Sequence, residues 1–265
     1  MRKIILSADD FGRSHERNLA IDYAFKNGLI KSAALLVNSD FSDEAARMAH
    51  EGGYINNLHC HLNLASGEIS GNAKPLDSEF TRCSDFCENG AFRPKEECAF
   101  FSKETFNNVQ FVFLELEAQY KRFIALTDNQ GNNSHIDFHL YYNLNVPVAL
   151  AVRNLMKKYN IKTARYFGEH HKMYGKRMKI KLFIIKLLER KDSNIAKACN
   201  IDFYVSDKKS FYNNKYIELY VHPDYVDGEL IDNSVSVFGH ERETLCEQYN
   251  KIKNDGDLIS WAELN

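Results

Sequence analysis

Residues 3–12 read Lys3-Ile4-Ile5-Leu6-Ser7-Ala8-Asp9-Asp10-Phe11-Gly12, an apolar run that stops in two adjacent carboxylates. The run is strand-like, and a strand that ends in acid is where an α/β enzyme keeps a metal. Side chains alternate faces along a strand, so Asp9 and Asp10 are expected to point in different directions. One can then hold an ion while its neighbour handles a proton. Taken alone, a carboxylate pair in a strand-to-helix turn reads first as a helix cap. Histidines further along the chain change that balance.

Strand-like and helix-like stretches alternate from this segment onward, the pattern of βα units around a mainly parallel sheet. Candidate strands cover residues 3–7, 33–37, 55–61, 135–139, 163–166, 202–205, 217–221 and 258–261. Eight such strands suggest an α/β barrel, a single domain over residues 1–265. Leu19, Ala20, Tyr23 and Ala24 recur at helical spacing before the stop at Gly28, and Ser42 is placed to cap a helix over 43–50. The longest helical candidate is 102–126, with Val109, Phe113, Leu116, Tyr120 and Phe123 three or four apart. Pro147 sits where a helical first turn tolerates proline, ahead of 148–159. Residues 65–95 hold Gly67, Gly71, Pro75, Gly90 and Pro94 with little periodicity and read as a long loop of the kind that forms lids. The basic stretch 172–191, with Leu182, Ile185 and Leu188 interleaved, reads as an amphipathic surface helix rather than a nucleic-acid site.

With 265 residues, 44% of them hydrophobic, the chain can bury a core large enough for one barrel. Its 34 basic and 36 acidic residues leave a formal charge of −2, so no global field recruits nucleic acid or an anionic membrane. A small neutral or mixed substrate suits that balance better. Met1-Arg2-Lys3 and the three apolar residues that follow are too short for a signal-peptide core, and no run of about 18 apolar residues occurs. The expectation is a soluble cytoplasmic protein. The six cysteines lack a C-x-x-C pair, which argues for free thiols. Cys83, Cys87 and Cys98 offer only an irregular zinc spacing without a fourth ligand.

The chemistry concentrates in three later segments. In His59-Cys60-His61-Leu62-Asn63-Leu64 the strand period puts His59 and His61 on one face. In His135-Ile136-Asp137-Phe138-His139 the three polar residues share a face, which is costly to bury unless hydrogen bonds, solvent or a metal satisfy it. Tyr220-Val221-His222-Pro223 ends a strand in an imidazole able to donate a proton near neutral pH, or merely to cap the strand. Asp10, His61 and His139 all fall at C-terminal strand ends, the face where barrels gather their sites. A carboxylate and two imidazoles suit Zn²⁺ or Mn²⁺, with Mg²⁺ less natural. Arg165 can orient a carboxylate or a substrate. Phe92, Tyr141 and Tyr142 can stack on sugar rings or simply pack. Asp10-Phe11-Gly12 is also the protein-kinase metal triplet, but with nine residues ahead of it no nucleotide loop or catalytic loop can precede it.

These residues together resemble the YdjC family of carbohydrate deacetylases, also called the chitooligosaccharide deacetylase (ChbG-like) family, over nearly the whole chain. The opening motif resembles Ala8-Asp9-Asp10-Phe11-Gly12 with Asn18 following, and the second His61-Leu62-Asn63-Leu64 with Ser66-Gly67. The third resembles His135-Ile136-Asp137-Phe138-His139, and the late one the stretch from Glu218 to Pro223, with Arg165 as the strand arginine. The chain departs from the family pattern at Tyr141, where another histidine is usual, at His59-Cys60, where glycine and a hydrophobic residue are usual, and at Asp224, where glycine is usual.

The resemblance implies a distorted (β/α) barrel of seven or eight strands with one divalent metal (Zn, Mg or Mn) on Asp10, His61 and His139. It implies Asp9 as general base and His222 as general acid, with Arg165, Tyr141 and His59 as candidate substrate contacts. The implied reaction removes the N-acetyl group from an amino sugar or short chitooligosaccharide. The rival readings are hydrolysis of another amide or ester, and a sugar-binding barrel without turnover. The family also leaves room for a homodimer.

Overall fold

In the computed structural model, β1 (Lys3–Phe11) is the central strand, buried along nearly all its length. The structure describes residues 2–66, 71–93, 104–139, 145–165, 180, 183–185, 187–188, 196–234 and 243–264. In chain order β1 is followed by α1 (His15–Lys26), β2 (Ser32–Leu36), α2 (Ser42–Gly52), β3 (Leu58–Leu62), β4 (Cys87–Glu88) and β5 (Ala91–Phe92). Next come α3 (Thr105–Leu126), β6 (His135–Phe138), α4 (Val146–Tyr159), β7 (Thr163–Ala164), β8 (Lys197–Asn200) and α5 (Ile201–Ser206). The chain ends with β9 (Tyr216–Val221), β10 (Pro223–Val226), β11 (Glu229–Asp232), α6 (Leu245–Ile252) and β12 (Asp257–Ile259).

Among the described residues eight strands form one sheet in the order β7-β6-β3-β2-β1-β9-β8, with β12 pairing the first residues of β1. Every pairing in it is parallel. The sheet curls into an incompletely closed barrel, as the alternation of strands and helices suggests. Such strands are buried on both faces, which is why they read as apolar runs. Along β1 the faces divide by the period of two: Ile4, Leu6 and Ala8 join the large core, whereas Ile5 packs with Ile259 and Trp261.

The strict alternation expected for Asp9 and Asp10 fails, and the reason is local. Ala8 pairs with Ala33 but Phe11 with Leu35, so β1 carries one extra residue against β2. Asp10 takes up that residue at φ 69°, a left-handed conformation that Asp and Asn tolerate better than other side chains. Both carboxylates are therefore buried. Gly12 follows at φ 98°, and a Cβ there would lie 2.7 Å from the Leu36 carbonyl oxygen, so the close approach of β1 to β2 requires glycine.

Several expectations need correction. Residues 202–205 belong to helix α5; the strand is the preceding Lys197–Asn200, and the Asn200 side chain accepts from Phe203 N–H to cap the helix. A short apolar run fits either state, and the cap decides it. Residues 55–57 form a 3₁₀ turn before β3. Ser42 starts α2 rather than capping it, its hydroxyl engaging Ser39 instead. Much of the expected 65–95 loop is folded: within 71–93 lie a 3₁₀ turn and the β4–β5 hairpin, with Phe80, Phe86 and Phe92 buried together. Phe92 is thus core, not a sugar platform. Cys83 and Cys87 are buried, while Cys98 lies outside the described residues. The basic stretch 172–191 is mostly outside them too, although Ile185 is buried against Val146 and Ala149. Among the described residues no helix is long and apolar enough to cross a membrane.

Glu115 on α3 ties the 71–93 segment down, accepting from Leu76 N–H and Asp77 N–H at 2.8 Å and from Gln119 Nε2 at 2.6 Å. Burial pushes its pKa up to about 7 against the pull of those donors. An unfolded glutamate loses its proton first, so the native state binds more protons between about pH 4.5 and 7. Glu115 therefore contributes stability below that window that is lost as pH rises through about 7. Denaturant unfolding from pH 4.5 to 8 should show the wild-type chain losing a few kcal/mol relative to Glu115→Gln. Parallel curves for the two proteins would contradict this.

Candidate active site

The C-terminal ends of β1, β3 and β6 bring Asp10, His61 and His139 together. His139 Nδ1 donates to Asp10 Oδ1 at 2.8 Å, and His61 Nε2 lies 3.3 Å from the same oxygen. The ligand-type atoms of the three residues fall within 4.8 Å of one another. Burial alone would raise the Asp10 pKa, but His139 and His61 hold it well below the usual carboxylate range. Burial would likewise depress His61, yet Asp137 and Asp10 push its pKa up to about 10. At His139 burial outweighs the attraction of Asp10, and the pKa falls below the ordinary histidine value.

This donor set fits a divalent cation. His139 Nε2 is buried and has no hydrogen-bond partner among the described residues, and its Nδ1 proton is committed to Asp10, so Nε2 keeps an unshared lone pair. The neighbouring carboxylates stabilise positive charge strongly enough to keep a proton on His61 well above neutrality. One carboxylate and two imidazoles are also ligands of the type that divalent transition metals take.

A second layer fixes the first. Asp137 accepts from His61 Nδ1 at 2.5 Å and from His59 Nε2 at 3.1 Å, which sets the tautomer of His61 with Nε2 toward Asp10. Arg165 is buried at the end of the sheet beside three carboxylates. It donates to both oxygens of Asp9, at 2.5 and 2.9 Å, and to Glu218 Oε1 at 2.7 and 2.9 Å, and its Nη2 lies 2.8 Å from Asp137 Oδ2. These carboxylates raise its pKa further even though burial opposes the charge. Arg165 thus orients carboxylates, the first of its two expected roles. Asp9 is held by that fork with Oδ2 3.9 Å from Nε2 of His222, whose side chain remains partly exposed.

His59 sits one turn of the pleat below His61, fully buried between Asp137 and the ring of His135, so it touches no solvent or substrate space. That removes it as a substrate contact and as a rival of His61 for the cluster. His59, His135, Asp137 and Glu218 also converge, but the Arg165 guanidinium already fills the space between Asp137 and Glu218. Tyr141 and Tyr142 lie outside the described residues. The sequence reading missed Trp261, which stacks on His135 with centroids 3.6 Å apart and donates Nε1–H to Glu218 at 3.1 Å. The one tryptophan of the chain, opening the 3₁₀ turn just after β12, was the available signal. Asn18 closes the β1–α1 turn, accepting from Gly12 N–H at 2.7 Å and donating to Glu44 at 2.7 Å.

A family model described as YdjC-like protein matches residues 3–251. Carbohydrate deacetylase 2 of Listeria innocua serovar 6a is 26% identical over 99% of this chain and 98% of its own length. Chitooligosaccharide deacetylase of Escherichia fergusonii is 31% identical over 52% of this chain and 49% of its own. Among solved structures, a protein from Enterococcus faecalis V583 provisionally described as a cellobiose-phosphate cleavage protein superposes with a TM-score of 0.67. It is 20% identical, over 99% of this chain and 98% of that one, and this likeness speaks to the fold.

Proposed function

Because this chain belongs to the YdjC-like protein family, we propose that it is a metal-dependent carbohydrate deacetylase that hydrolyses the N-acetyl group of an amino sugar or short chitooligosaccharide. The observation that carries the reading is the placement of the Asp10–His61–His139 cluster beside a carboxylate and an imidazole, Asp9 and His222, that are 3.9 Å apart. A binding protein has no use for a base and an acid so placed. The relatives named carbohydrate deacetylase support the same reaction class.

Asp10, His61 and His139 would hold the divalent ion, which when bound supplies Lewis acidity to water and to the acetyl carbonyl. Asp9, aimed by the two-pronged contact with Arg165, takes the proton of the water that attacks the carbonyl. The protonated His222 gives its Nε2 proton to the sugar nitrogen as the C–N bond breaks, so acetate and a free amine leave. Asp137 keeps His61 in the tautomer that presents Nε2. Arg165 lies too deep to meet the sugar.

The test is acetate release from diacetylchitobiose and N-acetylglucosamine, before and after chelation and after return of Zn²⁺ or Mn²⁺. Release should stop on chelation and return with the ion. Asp9→Asn should keep bound metal, measured by elemental analysis, and lose roughly 10²–10⁴ in kcat. Release from simple acyl amides but from no acetylated sugar would transfer the assignment to a different amide hydrolase. Sugar binding without turnover in the metal-loaded protein would end the enzyme reading.

A further inference from the structure

The hairpin that follows His222 bends back onto it. Between β10 and β11 lie Asp227 and Gly228, at φ 53° and 82°, the two left-handed residues of a tight two-residue turn. That turn sets the register in which Pro223 pairs with Asp232. The chain leaving β11 is thereby carried alongside His222, and Asn233 N–H donates to the His222 carbonyl at 2.8 Å. Asp224 braces the same corner from the other side, accepting from the buried Arg17 at 2.9 Å and from Asn233 Nδ2 at 3.2 Å.

Within this corner the hydrogen bonds have one consistent direction. Asp232 Oδ1 accepts from His222 N–H at 2.8 Å, from Ser234 N–H at 3.0 Å and from the Ser234 hydroxyl at 2.6 Å. A carboxylate can only accept, so the Ser234 hydroxyl donates its hydrogen to Asp232, and the oxygen of Ser234 is left as an acceptor toward His222 Nδ1, 2.9 Å away. The Nδ1 of His222 must then carry a hydrogen in the neutral ring, and Nε2 is the nitrogen that gains and loses the proton. That nitrogen is the one directed at Asp9.

We infer that Ser234 is a positioning residue, a hydroxyl link in the series Asp232–Ser234–His222 that fixes the tautomer and aim of the imidazole so that Nε2 delivers the proton to the leaving nitrogen. When it does so, the C–N electron pair leaves on nitrogen, the nitrogen gains the Nε2 proton, and His222 becomes the neutral ring with Nδ1–H still on Ser234. The part His222 plays as acid rests on the deacetylase reading; its tautomer does not.

Two measurements test this on the full-length protein. Nitrogen-15 NMR of histidine-labelled protein, with His222 assigned by its loss in His222→Asn, should show neutral His222 protonated at Nδ1, and in Ser234→Ala at Nε2. An Nε2–H ring in the unsubstituted protein, or an unchanged tautomer in Ser234→Ala, overturns the inference. In kinetics with diacetylchitobiose, Ser234→Ala should lower kcat by about tenfold or more, part of the 10²–10⁴ that a general acid supplies, and leave KM within about twofold. Ser234→Thr, which keeps the hydroxyl, should recover most of kcat. A Ser234→Ala kcat within about twofold of the parent, or a Ser234→Thr as slow as the alanine variant, also overturns it. If the parent turns over no acetylated sugar, the deacetylase reading fails, while the tautomer measurement still decides the role of Ser234.

Discussion

Asp10→Asn will leave the chain folded, without stoichiometric metal, and at least about a thousandfold slower in acetate release. Asparagine is the informative replacement because residue 10 sits at φ 69°, where Asn is tolerated and alanine would add backbone strain. The amide preserves shape but removes the negative charge that His61 and His139 both face. Without it the carboxylates that push the His61 pKa up, Asp137 first and then Asp10, lose a member, and the site becomes a weaker trap for any cation. Elemental analysis, circular dichroism and acetate release on one preparation are sufficient. Full metal content together with full activity would remove Asp10 from the proposed ligand set. The contrast with Asp9→Asn is the sharper point, because that variant should hold its ion and fail only in rate.

Arg165→Ala will lower stability by about 3–5 kcal/mol, the cost typical of breaking a buried ion pair from one side. Three buried carboxylates, Asp9, Asp137 and Glu218, lose their shared cation. Set against total stabilities of about 5–15 kcal/mol, the loss should appear as a fall in melting temperature on the order of 10 °C. The pH dependence has a definite sign. Burial opposes ionisation of Asp137, but Arg165 and the histidines hold its pKa well below the ordinary value, so this stabilisation is present above about pH 4 and is lost as pH falls further. The gap between parent and variant should therefore be widest near neutral pH and should narrow in acid. Equal unfolding midpoints at pH 7 would show that the guanidinium is dispensable to the fold.

Much of this architecture was legible because the strands are buried on both faces and so carry uninterrupted apolar runs, as in Ile4-Ile5-Leu6 and Ala33 to Val37. Helices α3 and α4 announced themselves by period and by Pro147. The errors came where several residues fit two states. Residues 202–205 read as a strand until the Asn200 cap is counted, and Phe80, Phe86 and Phe92 hide a packed segment inside a stretch rich in glycine and proline. The Asp227-Gly228 pair was a readable hairpin signal, and its register alone would have carried residues 232–234 to the side of His222.

The sequence by itself determined the parallel α/β fold and named Asp10, His61 and His139 as companions, since polar side chains at the C-terminal ends of apolar strands have one mouth to share. It could not determine how Asp9 and Asp10 both reach that mouth. Alternation predicts opposite faces, and only the pairing of β1 with β2, one residue out of step, together with the left-handed turn at Asp10, brings the two together. Nor could it place His59 below the cluster, Arg165 among three carboxylates, or Trp261 against His135. Those positions follow from which strands become neighbours, and burial in a curled sheet permits polar groups only where each finds a partner from another strand.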